Sequence, residues 1–390
     1  MMYGLLGEHL GHSYSPFIHS LLGSSPYELV SLSPEELEPF IKAGDFAGLN
    51  VTIPYKKAVI PYLDNISPEA SKIGAVNTIM RWDDGLCGYN TDYHGFLYAA
   101  SNAGISFRGK KVLVLGSGGA SVAVQAAAVD AGASEVLVVS RSSALNYGNV
   151  YDVPGVDIVV NATPVGMYPD NGSHLVELSR FKNCCGVIDL IYNPLKTELI
   201  LDAEKLGIPC SNGLAMLVAQ AKYASDLFLG MERDDSIISD ILKKTCEKVE
   251  NTVLIGMPGC GKSTVGQSMA NEQGKRFVDT DALVEDKAGK SIPEIFAHDG
   301  EAFFRKLEAE VIASVGKEGG QVIATGGGAV LDPKNVRNLR QNGTVVFLKR
   351  DIDKLPVDGR PLSQTKDLAE MYKERLPFYE AAADITMENV

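Results

Sequence analysis

The stretch Lys111-Val112-Leu113-Val114-Leu115-Gly116-Ser117-Gly118-Gly119-Ala120 determines how the first half of the chain is interpreted. A mostly apolar run leads directly into a glycine turn, and an Ala-rich stretch of helical character follows from Ser121 to Ala131. A second apolar run, Glu135 to Val139, begins after Gly132. Strand, glycine turn, helix and strand in this order open a fold that binds dinucleotides, because free N–H groups at the start of the helix bind a pyrophosphate. The sequence therefore predicts a Rossmann-type unit.

The residues after the second strand indicate which dinucleotide this unit would bind. Ser140, Arg141 and Ser142 stand where an acidic residue would hold a free ribose hydroxyl. An arginine flanked by hydroxyls suits a 2′-phosphate, so the pattern favours NADP over NAD. A solvated surface arginine is the plainer alternative, and it stays open at this point.

A second glycine loop decides the interpretation of the other half. Gly256-Met257-Pro258-Gly259-Cys260-Gly261-Lys262-Ser263 fits G-x-x-x-x-G-K-[ST] in full and follows the apolar run Thr252 to Ile255. In such a loop backbone N–H groups surround phosphates, the lysine reaches the β and γ oxygens, and the hydroxyl binds Mg²⁺. We therefore predict an ATP site at Gly259, Cys260, Gly261, Lys262, Ser263 and Thr264, with Ser263 as a magnesium ligand.

Composition excludes several classes of protein. The chain has 390 residues, 45% of them hydrophobic and 22% charged, and a net charge of −13. These values fit two or three soluble folded units and argue against disorder, a collagen-like fibre and nonspecific nucleic-acid binding. There is no apolar run of about 18 residues that would span a membrane, and the N-terminus lacks the features of a secretory signal. The six cysteines form no C-x-x-C pair, so we expect a cytoplasmic protein without a disulfide framework or structural zinc.

The two loops imply an α/β protein with three folded parts. We predict a Rossmann-type subdomain at residues 96–211 and a P-loop domain of parallel α/β type at 251–390. Residues 1–95 and 212–235 would form a separate α/β subdomain that binds substrate. The amphipathic stretch 236–250 would be a helix and short linker, because Ile237, Ile238, Ile241 and Leu242 recur at helical spacing.

The first half resembles shikimate dehydrogenase from residue 1 to about 235. Four polar clusters carry the resemblance: His12-Ser13-Tyr14-Ser15-Pro16, Asn50-Val51-Thr52-Ile53-Pro54-Tyr55-Lys56, Gly74-Ala75-Val76-Asn77-Thr78 and Gly88-Tyr89-Asn90-Thr91-Asp92. Three later segments extend it: Asn161 to Met167, Asp189 to Pro194, and Asn212 to Gln220.

This resemblance implies a role for each matching residue. Lys56 and Asp92 would be the catalytic pair, since ketone reduction needs a proton donor and the reverse reaction needs a base. Substrate binding is implied for Ser13, Ser15, Thr52, Asn77, Asp92, Tyr192 and Gln220. Contacts with NADP are implied for Gly116, Ser117, Gly118, Gly119, Ala120, Ser140, Arg141, Ser142, Thr163, Gly213 and Met216.

The second half is similar to shikimate kinase from about residue 250 onwards. After the P-loop come Val278-Asp279-Thr280-Asp281, the helical stretch Ile292 to Glu308, Gly326-Gly327-Gly328, Arg360-Pro361-Leu362 and Glu374 to Tyr379. By this resemblance Asp279 assists Mg²⁺, and Asp281 binds a substrate hydroxyl and could act as base. Arg305 and Arg375 would hold the substrate carboxylate, Gly327 and Gly328 would contact the substrate, and Arg360 would cover the phosphates. Arg305 also has the apolar sequence neighbours Phe303, Phe304 and Leu307, from which we expect it to be partly enclosed.

The sequence departs from the kinase pattern at two places. Nine residues separate Arg350 from Arg360, where the resemblance leads us to expect a helix and a long lid, and the closing helix of the family has no counterpart before Val390.

These observations predict a bifunctional enzyme that uses NADP(H), ATP and Mg²⁺ on small molecules, without a nucleic-acid or membrane partner. It would reduce 3-dehydroshikimate and then phosphorylate shikimate. Two alternatives remain at this point: an active dehydrogenase with a kinase-like module that binds without turnover, and a quinate/shikimate dehydrogenase that uses NAD.

Overall fold

Two compact units, Met1–Thr245 and Cys246–Val390, make up the chain, and the division falls within one helix. The computed structural model describes residues 2–11, 13–355 and 368–389. The first unit contains the strands β1 Met2–Gly7, β2 Tyr27–Ser31, β3 Phe46–Val51, β4 Asn65–Ile66, β5 Thr78–Trp82, β6 Gly85–Tyr89, β7 Lys111–Leu115, β8 Glu135–Val139, β9 Ile158–Asn161, β10 Gly186–Asp189 and β11 Cys210–Ser211. The second contains β12 Asn251–Ile255, β13 Arg276–Asp279, β14 Gln321–Ala324, β15 Gly343–Lys349 and β16 Ile385–Glu388.

The described α-helices are α1 Ser15–Leu21, α2 Pro34–Ala43, α3 Pro68–Ile73, α4 Asp92–Asn102, α5 Gly119–Asp130, α6 Glu198–Lys205, α7 Gly213–Leu229, α8 Ser236–Val249, α9 Lys262–Gln273, α10 Thr280–Ala288, α11 Ile292–His298, α12 Glu301–Val315, α13 Pro333–Arg340 and α14 Leu368–Ala382. Short 3₁₀ helices lie at Ile60–Tyr62, Val150–Asp152, Leu178–Arg180, Ala329–Leu331 and Ile352–Lys354. Over the part of the chain that is described, none of the helices has the length and apolar character needed to cross a membrane.

The first unit holds two sheets. One has the order β2-β1-β3-β5-β6-β4 and is mixed, because β5 runs antiparallel to both β3 and β6. The other has the order β11-β10-β9-β7-β8, and all its neighbouring strands are parallel. In this second sheet β7 lies between β8 and β9. The chain therefore continues from β7 to β8 on one side and crosses from β8 to β9 on the other side of β7. Ligands of such folds bind at the carboxyl edge of this switch point, where the first glycine loop lies.

The second unit is a parallel sheet of order β13-β14-β12-β15-β16. Its central strand β12 carries the P-loop at its carboxyl end, and α9 begins at Lys262. The fold class predicted from the sequence, α/β with a Rossmann-type part and a P-loop part, is confirmed.

Predicted elements agree with the structure except at their ends and within the helical stretch Ile292 to Glu308, which Asp299 and Gly300 divide into α11 and α12. The helix expected at Ser121–Ala131 begins at Gly119, so the glycine turn itself supplies the first helical N–H groups. The stretch 236–250 forms α8, in which Ile238 and Ile241 are buried against α7 of the first unit. The motif Val278 to Asp281 is divided between two elements, since β13 ends at Asp279 and Asp281 belongs to the first turn of α10. The finer division of the first unit into 1–95 with 212–235 and 96–211 stays a prediction.

Candidate active sites

A cavity of about 300 Å³ in the first unit gathers residues from distant parts of the sequence. Its lining includes Lys56, predicted to be catalytic, and all the side chains predicted to bind the dehydrogenase substrate, namely Ser13, Ser15, Thr52, Asn77, Asp92, Tyr192 and Gln220. Three of the residues predicted to contact NADP line the same cavity: Ala120, Gly213 and Met216. The carboxyl end of β3, the start of α4 and helix α7 supply six of these groups, namely Thr52, Lys56, Asp92, Gly213, Met216 and Gln220. The cavity therefore brings a polar substrate surface next to the glycine loop of the dinucleotide-binding part.

Lys56 and Asp92 form an ion pair inside this cavity. Lys56 lies in the turn after β3, Asp92 is the first residue of α4, and Nζ lies 2.6 Å from Oδ2. The two side chains are only 17% and 10% exposed. A proton can pass along such a short hydrogen bond, so the pair can hold a proton at one place and supply it to a group bound beside it.

A network of buried amides and hydroxyls forms one side of the same cavity. Asn77 donates through Nδ2 to Thr91 Oγ1 at 3.0 Å, and its Oδ1 accepts from the Thr91 backbone N–H at 2.7 Å. The sequence reasoning quoted Asn50 and Thr91 within motifs but assigned them no role. Asn50 lines the cavity, accepts a hydrogen bond from Tyr27 and donates one to Thr78 at 3.1 Å. The two hydrogen bonds with Thr91 fix the orientation of the Asn77 amide, which would otherwise rotate.

The serines and the tyrosine of the cavity are also held in place by neighbouring groups. The backbone N–H of Ser15 donates to Ser13 Oγ at 3.2 Å, where α1 begins. Tyr192 packs against Tyr14 with ring centroids 5.7 Å apart, and burial raises the pKa of Tyr192. Its phenol therefore stays protonated at neutral pH, which leaves it able to donate a hydrogen bond to a bound anion.

The glycine loop of the dinucleotide-binding part has the geometry that its sequence predicts. Gly116 has φ +104°, and a Cβ at this position would lie 2.7 Å from Thr163 Cγ2. Gly118 is the N-cap of α5, so the N–H groups of the first turn face the place where a pyrophosphate would bind. Gly213 has no room for a side chain either, because a Cβ there would collide with the carbonyl oxygen of Leu190.

The remaining NADP candidates lie outside the substrate cavity. Ser140, Arg141 and Ser142 follow directly after β8, and the Arg141 side chain is exposed. Thr163 lies after β9 and donates through Oγ1 to Asn161 Oδ1 at 2.7 Å. Since β8 and β9 lie on either side of β7, these groups are spread along the carboxyl edge of one sheet, which is the place where an extended dinucleotide binds in this type of fold.

A second cavity of about 550 Å³ lies in the second unit. Most of the predicted kinase residues line it: Gly259, Gly261, Lys262, Ser263, Thr264, Asp279, Asp281, Arg305, Gly327, Gly328 and Arg375. Cys260 does not, because its side chain is fully buried below the loop. Arg360 lies outside the described residues. Glu308 and Arg350 also line this cavity, and the sequence reasoning gave neither of them a role.

The P-loop and the end of β13 meet in this cavity. Lys262 Nζ donates to the carbonyl oxygens of Gly256 and Met257 at 2.9 and 3.0 Å, which holds the ammonium over the loop. Ser263 Oγ donates to Asp279 Oδ2 at 2.7 Å. A hydroxyl and a carboxylate this close are two of the hard oxygen ligands that Mg²⁺ prefers, and this ion usually completes its shell with waters and phosphate oxygens. Ser263 and Asp279 therefore fit a magnesium ion, although among the described residues no group of three or more His, Cys, Asp or Glu side chains forms a site made of protein ligands alone.

Asp281 lies deeper in the cavity, in the first turn of α10. Burial, followed by the negative charges of Asp279 and Glu308, raises the pKa of Asp281 to about 6, and Lys262 opposes this shift. Within the described part of the chain its Oδ1 atom has no hydrogen-bond partner. This carboxyl is therefore more basic than an ordinary aspartate, and one of its oxygens is without a donor.

Arg305, one of the arginines that line this second cavity, is positioned by acidic side chains. Arg305 donates through Nη1 to Glu308 Oε2 at 2.7 Å and through Nη2 to Glu301 Oε1 at 3.2 Å. Glu308 is 1% exposed. Arg305 is partly enclosed, as expected: its side chain is 26% exposed and its guanidinium lies over the Phe304 ring, 5.2 Å from the centroid. Phe303 faces outward and is 43% exposed. Arg375 is buried on α14 and lines the same cavity.

Each of the two units contains a match to a family model. Residues 5–79 match the family model of the shikimate dehydrogenase substrate binding domain, and residues 258–390 match that of shikimate kinase. The shikimate dehydrogenase (NADP(+)) of Clostridium beijerinckii is 38% identical over 255 residues, which cover 60% of this chain and 94% of that protein. The chain belongs to the shikimate dehydrogenase family. It carries in addition a C-terminal shikimate kinase domain.

Solved structures of shikimate dehydrogenases show the same fold. A chorismate mutase/shikimate 5-dehydrogenase fusion protein from Clostridium acetobutylicum is 36% identical, with a TM-score of 0.60, and the match covers 63% of this chain and 97% of that one. Shikimate 5-dehydrogenase from Thermus thermophilus, in complex with NADP(H) and shikimate, is 33% identical, with a TM-score of 0.56, and the match covers 63% of this chain and 99% of that one.

Proposed function

We propose that the chain is a bifunctional enzyme that reduces 3-dehydroshikimate with NADPH and then phosphorylates shikimate with Mg²⁺ and ATP. The observation that carries the proposal is the assembly of the predicted substrate-binding side chains in two cavities, each in the unit that contains the match to the corresponding family model. A further chemical argument supports it: reduction creates a hydroxyl from the ring ketone, and the kinase would phosphorylate that hydroxyl.

In the dehydrogenase cavity, the Lys56–Asp92 pair would supply the proton that ketone reduction requires. NADPH, when bound, supplies the hydride. Lys56 and Asp92 would both hydrogen-bond the substrate oxygen, and the proton released from this pair would neutralise the developing alkoxide. Asn77 and Gln220, together with Thr52, would hold the other hydroxyls, while Ser13, Ser15 and the protonated Tyr192 would bind the carboxylate.

The dinucleotide would bind along the carboxyl edge of β7, β8 and β9. The first turn of α5, from Gly118 to Ala120, would hold the pyrophosphate through backbone N–H groups. Arg141 and its serine neighbours would bind the 2′-phosphate that distinguishes NADP from NAD. Thr163, Gly213 and Met216 would face the nicotinamide.

In the kinase cavity, the chain would mainly position groups and neutralise charge, as is general in phosphoryl transfer. The P-loop would surround the phosphates, Lys262 would leave its carbonyl partners to bind phosphate oxygens, and Ser263 with Asp279 would hold Mg²⁺. Asp281 would accept the proton of the attacking hydroxyl through its unpartnered oxygen. Arg305 and Arg375 would bind the carboxylate, because two guanidinium groups match its two oxygens.

Separate assays of the two activities test this proposal. Purified protein should oxidise NADPH in the presence of 3-dehydroshikimate, with a lower catalytic efficiency for NADH. Equal or better use of NADH would favour the alternative of a quinate/shikimate dehydrogenase that uses NAD.

The kinase half is tested by formation of shikimate 3-phosphate from shikimate, Mg²⁺ and ATP. The product should be lost in Lys262→Ala and retained in Lys290→Ala, which changes a surface lysine paired with Asp299. A protein that binds ATP and reduces 3-dehydroshikimate but releases no ADP with shikimate would contradict the bifunctional proposal. It would identify the second unit as a binding module.

A further inference from the structure

Three consecutive glycines, Gly326, Gly327 and Gly328, line the kinase cavity. They follow β14 and precede a 3₁₀ helix at Ala329–Leu331. Glycine is commonly required where φ is positive, but these three residues do not have left-handed φ values, and Gly328 has φ −103°. An alanine could therefore adopt the same backbone conformation, and the reason for glycine must lie in the surroundings.

At each of the three glycines, an added side chain would collide with a different part of the site. A Cβ on Gly326 would lie 2.6 Å from Asp281 Oδ1 and 2.8 Å from Glu308 Oε1. A Cβ on Gly327 would lie 2.6 Å from Pro258 Cδ, in the P-loop. On Gly328 it would lie 2.5 and 2.6 Å from the two terminal nitrogens of Arg305. All these separations are too short for real contacts, so something must move if a methyl group is added.

The backbone of the triplet is held from both sides. The N–H of Gly326 donates to Thr280 Oγ1 at 3.1 Å, and Thr280 stands between Asp279 and Asp281 in sequence. On the other side, the hydroxyl of Tyr379 donates to the carbonyl oxygen of Gly327 at 2.5 Å. Tyr379 is fully buried and lies one turn after Arg375 on α14. Because these contacts fix the triplet, an added methyl group would displace the neighbouring group rather than the glycine.

We propose that the triplet is a three-part positioning element, in which Gly326 sets the place of the proton acceptor, Gly327 that of the P-loop and Gly328 that of the carboxylate-binding arginine. The inference rests on the proposed kinase function and assigns a separate effect to each residue. The guanidinium of Arg305 and the carboxylates of Asp281 and Glu308 are at the ends of flexible side chains, so they can move away from an added methyl group. Pro258 is part of the loop backbone and cannot move without it.

Three alanine variants of the full chain test this assignment. Gly328→Ala should raise KM for shikimate in the kinase reaction and leave KM for ATP nearly unchanged. Gly327→Ala should raise KM for ATP, with the largest loss of thermal stability of the three. Gly326→Ala should lower kcat at saturating concentrations of both substrates. We expect each effect to be about 100-fold, the loss typical of a displacement of about 1 Å in a catalytic site.

The matched control is Gly343→Ala, at the start of β15, where a Cβ would also be crowded, at 2.9 Å from both Leu339 O and Val253 Cγ2. It should lower the thermal midpoint without changing either KM. The dehydrogenase activity of every variant should stay unchanged, which reports that the first unit is intact.

Calorimetric titration with ADP and with shikimate separates failure of this inference from failure of the proposed kinase function. Shikimate bound at the dehydrogenase cavity gives the same contribution in all variants. If the wild type shows no turnover, the kinase proposal fails, while weaker ADP binding in Gly327→Ala alone and weaker shikimate binding in Gly328→Ala would still support the positioning element. If the variants fold but change both ligands in equal proportion, or change neither, the inference is overturned.

Discussion

The two lysines at the centres of the two cavities differ in what they contact. Lys56 makes a 2.6 Å ion pair with Asp92, so its charge is already balanced by a partner of the same chain. Lys262 donates instead to the backbone carbonyl oxygens of Gly256 and Met257, and the nearby Asp281 keeps one oxygen without a donor among the described residues. In the proposed mechanism, the cavity of the first unit thus contains both members of a proton-transfer pair, whereas the cavity of the second unit contains groups arranged for charges that the ligands would bring.

This difference explains why the two sites should respond differently to substitution. A proton-transfer pair fails when one member is removed, because the other member alone can no longer pass the proton to the substrate oxygen. A phosphoryl-transfer site distributes its effect over several positioning groups, so single substitutions change the binding of one ligand at a time.

The largest expected effect follows from removal of the dehydrogenase lysine. Lys56→Ala should lower the dehydrogenase kcat by about 10²–10⁴-fold, the usual contribution of a general acid or base, while kinase activity stays unchanged. Lys57→Ala is the matched control, since Lys57 is the exposed sequence neighbour. Steady-state rates of NADPH oxidation measure the effect. A Lys56→Ala rate close to that of Lys57→Ala would remove Lys56 from the catalytic role.

The second prediction concerns the arginine held by Glu308 and Glu301. Arg305→Lys keeps the positive charge but loses the planar fork, so KM for shikimate in the kinase reaction should rise by about 10–100-fold, the equivalent of one charge-assisted hydrogen bond. KM for ATP should change little. Lys306→Ala, an exposed neighbour on α12, provides the control. If the variant instead changed KM for ATP and left KM for shikimate unaltered, Arg305 would have to be reassigned to the phosphates.

The pH dependence of the kinase reaction should reflect the raised pKa of Asp281. Because this pKa is about 6 in the free protein, the carboxyl is protonated below that pH and cannot accept the proton of the substrate hydroxyl. The value of kcat/KM for shikimate should therefore fall about tenfold per pH unit below pH 6 and level off above it. An acid limb centred near the ordinary aspartate value of about 3.9 would contradict the proposed role of Asp281.

The smallest expected effect concerns the choice of dinucleotide. Arg141→Ala should raise KM for NADPH by roughly tenfold or somewhat more, the cost of one exposed hydrogen bond between charged groups, and should leave KM for NADH unchanged. Arg108→Ala removes an exposed arginine before β7 and serves as the control. An equal change with both dinucleotides would show that Arg141 supports the fold of the loop and does not read the 2′-phosphate.

Much of this architecture could be predicted from local sequence patterns. The strands before the two glycine loops are short apolar runs. Within the loops, the backbone conformation requires glycine and phosphate binding requires lysine, so Gly116 and Lys262 indicate the type of fold and site without a structure. The family resemblance predicted which side chains of the first half would bind substrate, and all of these side chains line one cavity in the structure.

Other features depend on contacts between residues far apart in sequence. Glu308 has the pattern of an ordinary helical glutamate, and only the packing of α12 shows that it is buried against Arg305. The triplet Gly326–Gly328 looks like a flexible turn, and the steric reason for each glycine emerges only when Pro258, Asp281 and Arg305 are placed around it. Sequence adjacency to Arg305 could not show that Phe304 is buried while Phe303 is exposed, because neighbouring residues on a helix point in different directions.

The most direct test of the whole account is a single reaction that starts from 3-dehydroshikimate with NADPH, Mg²⁺ and ATP present. The wild-type chain should form shikimate 3-phosphate, Lys262→Ala should accumulate shikimate, and Lys56→Ala should leave 3-dehydroshikimate unconsumed while it still phosphorylates added shikimate. Accumulation of shikimate without its phosphate in the wild-type reaction would contradict the account.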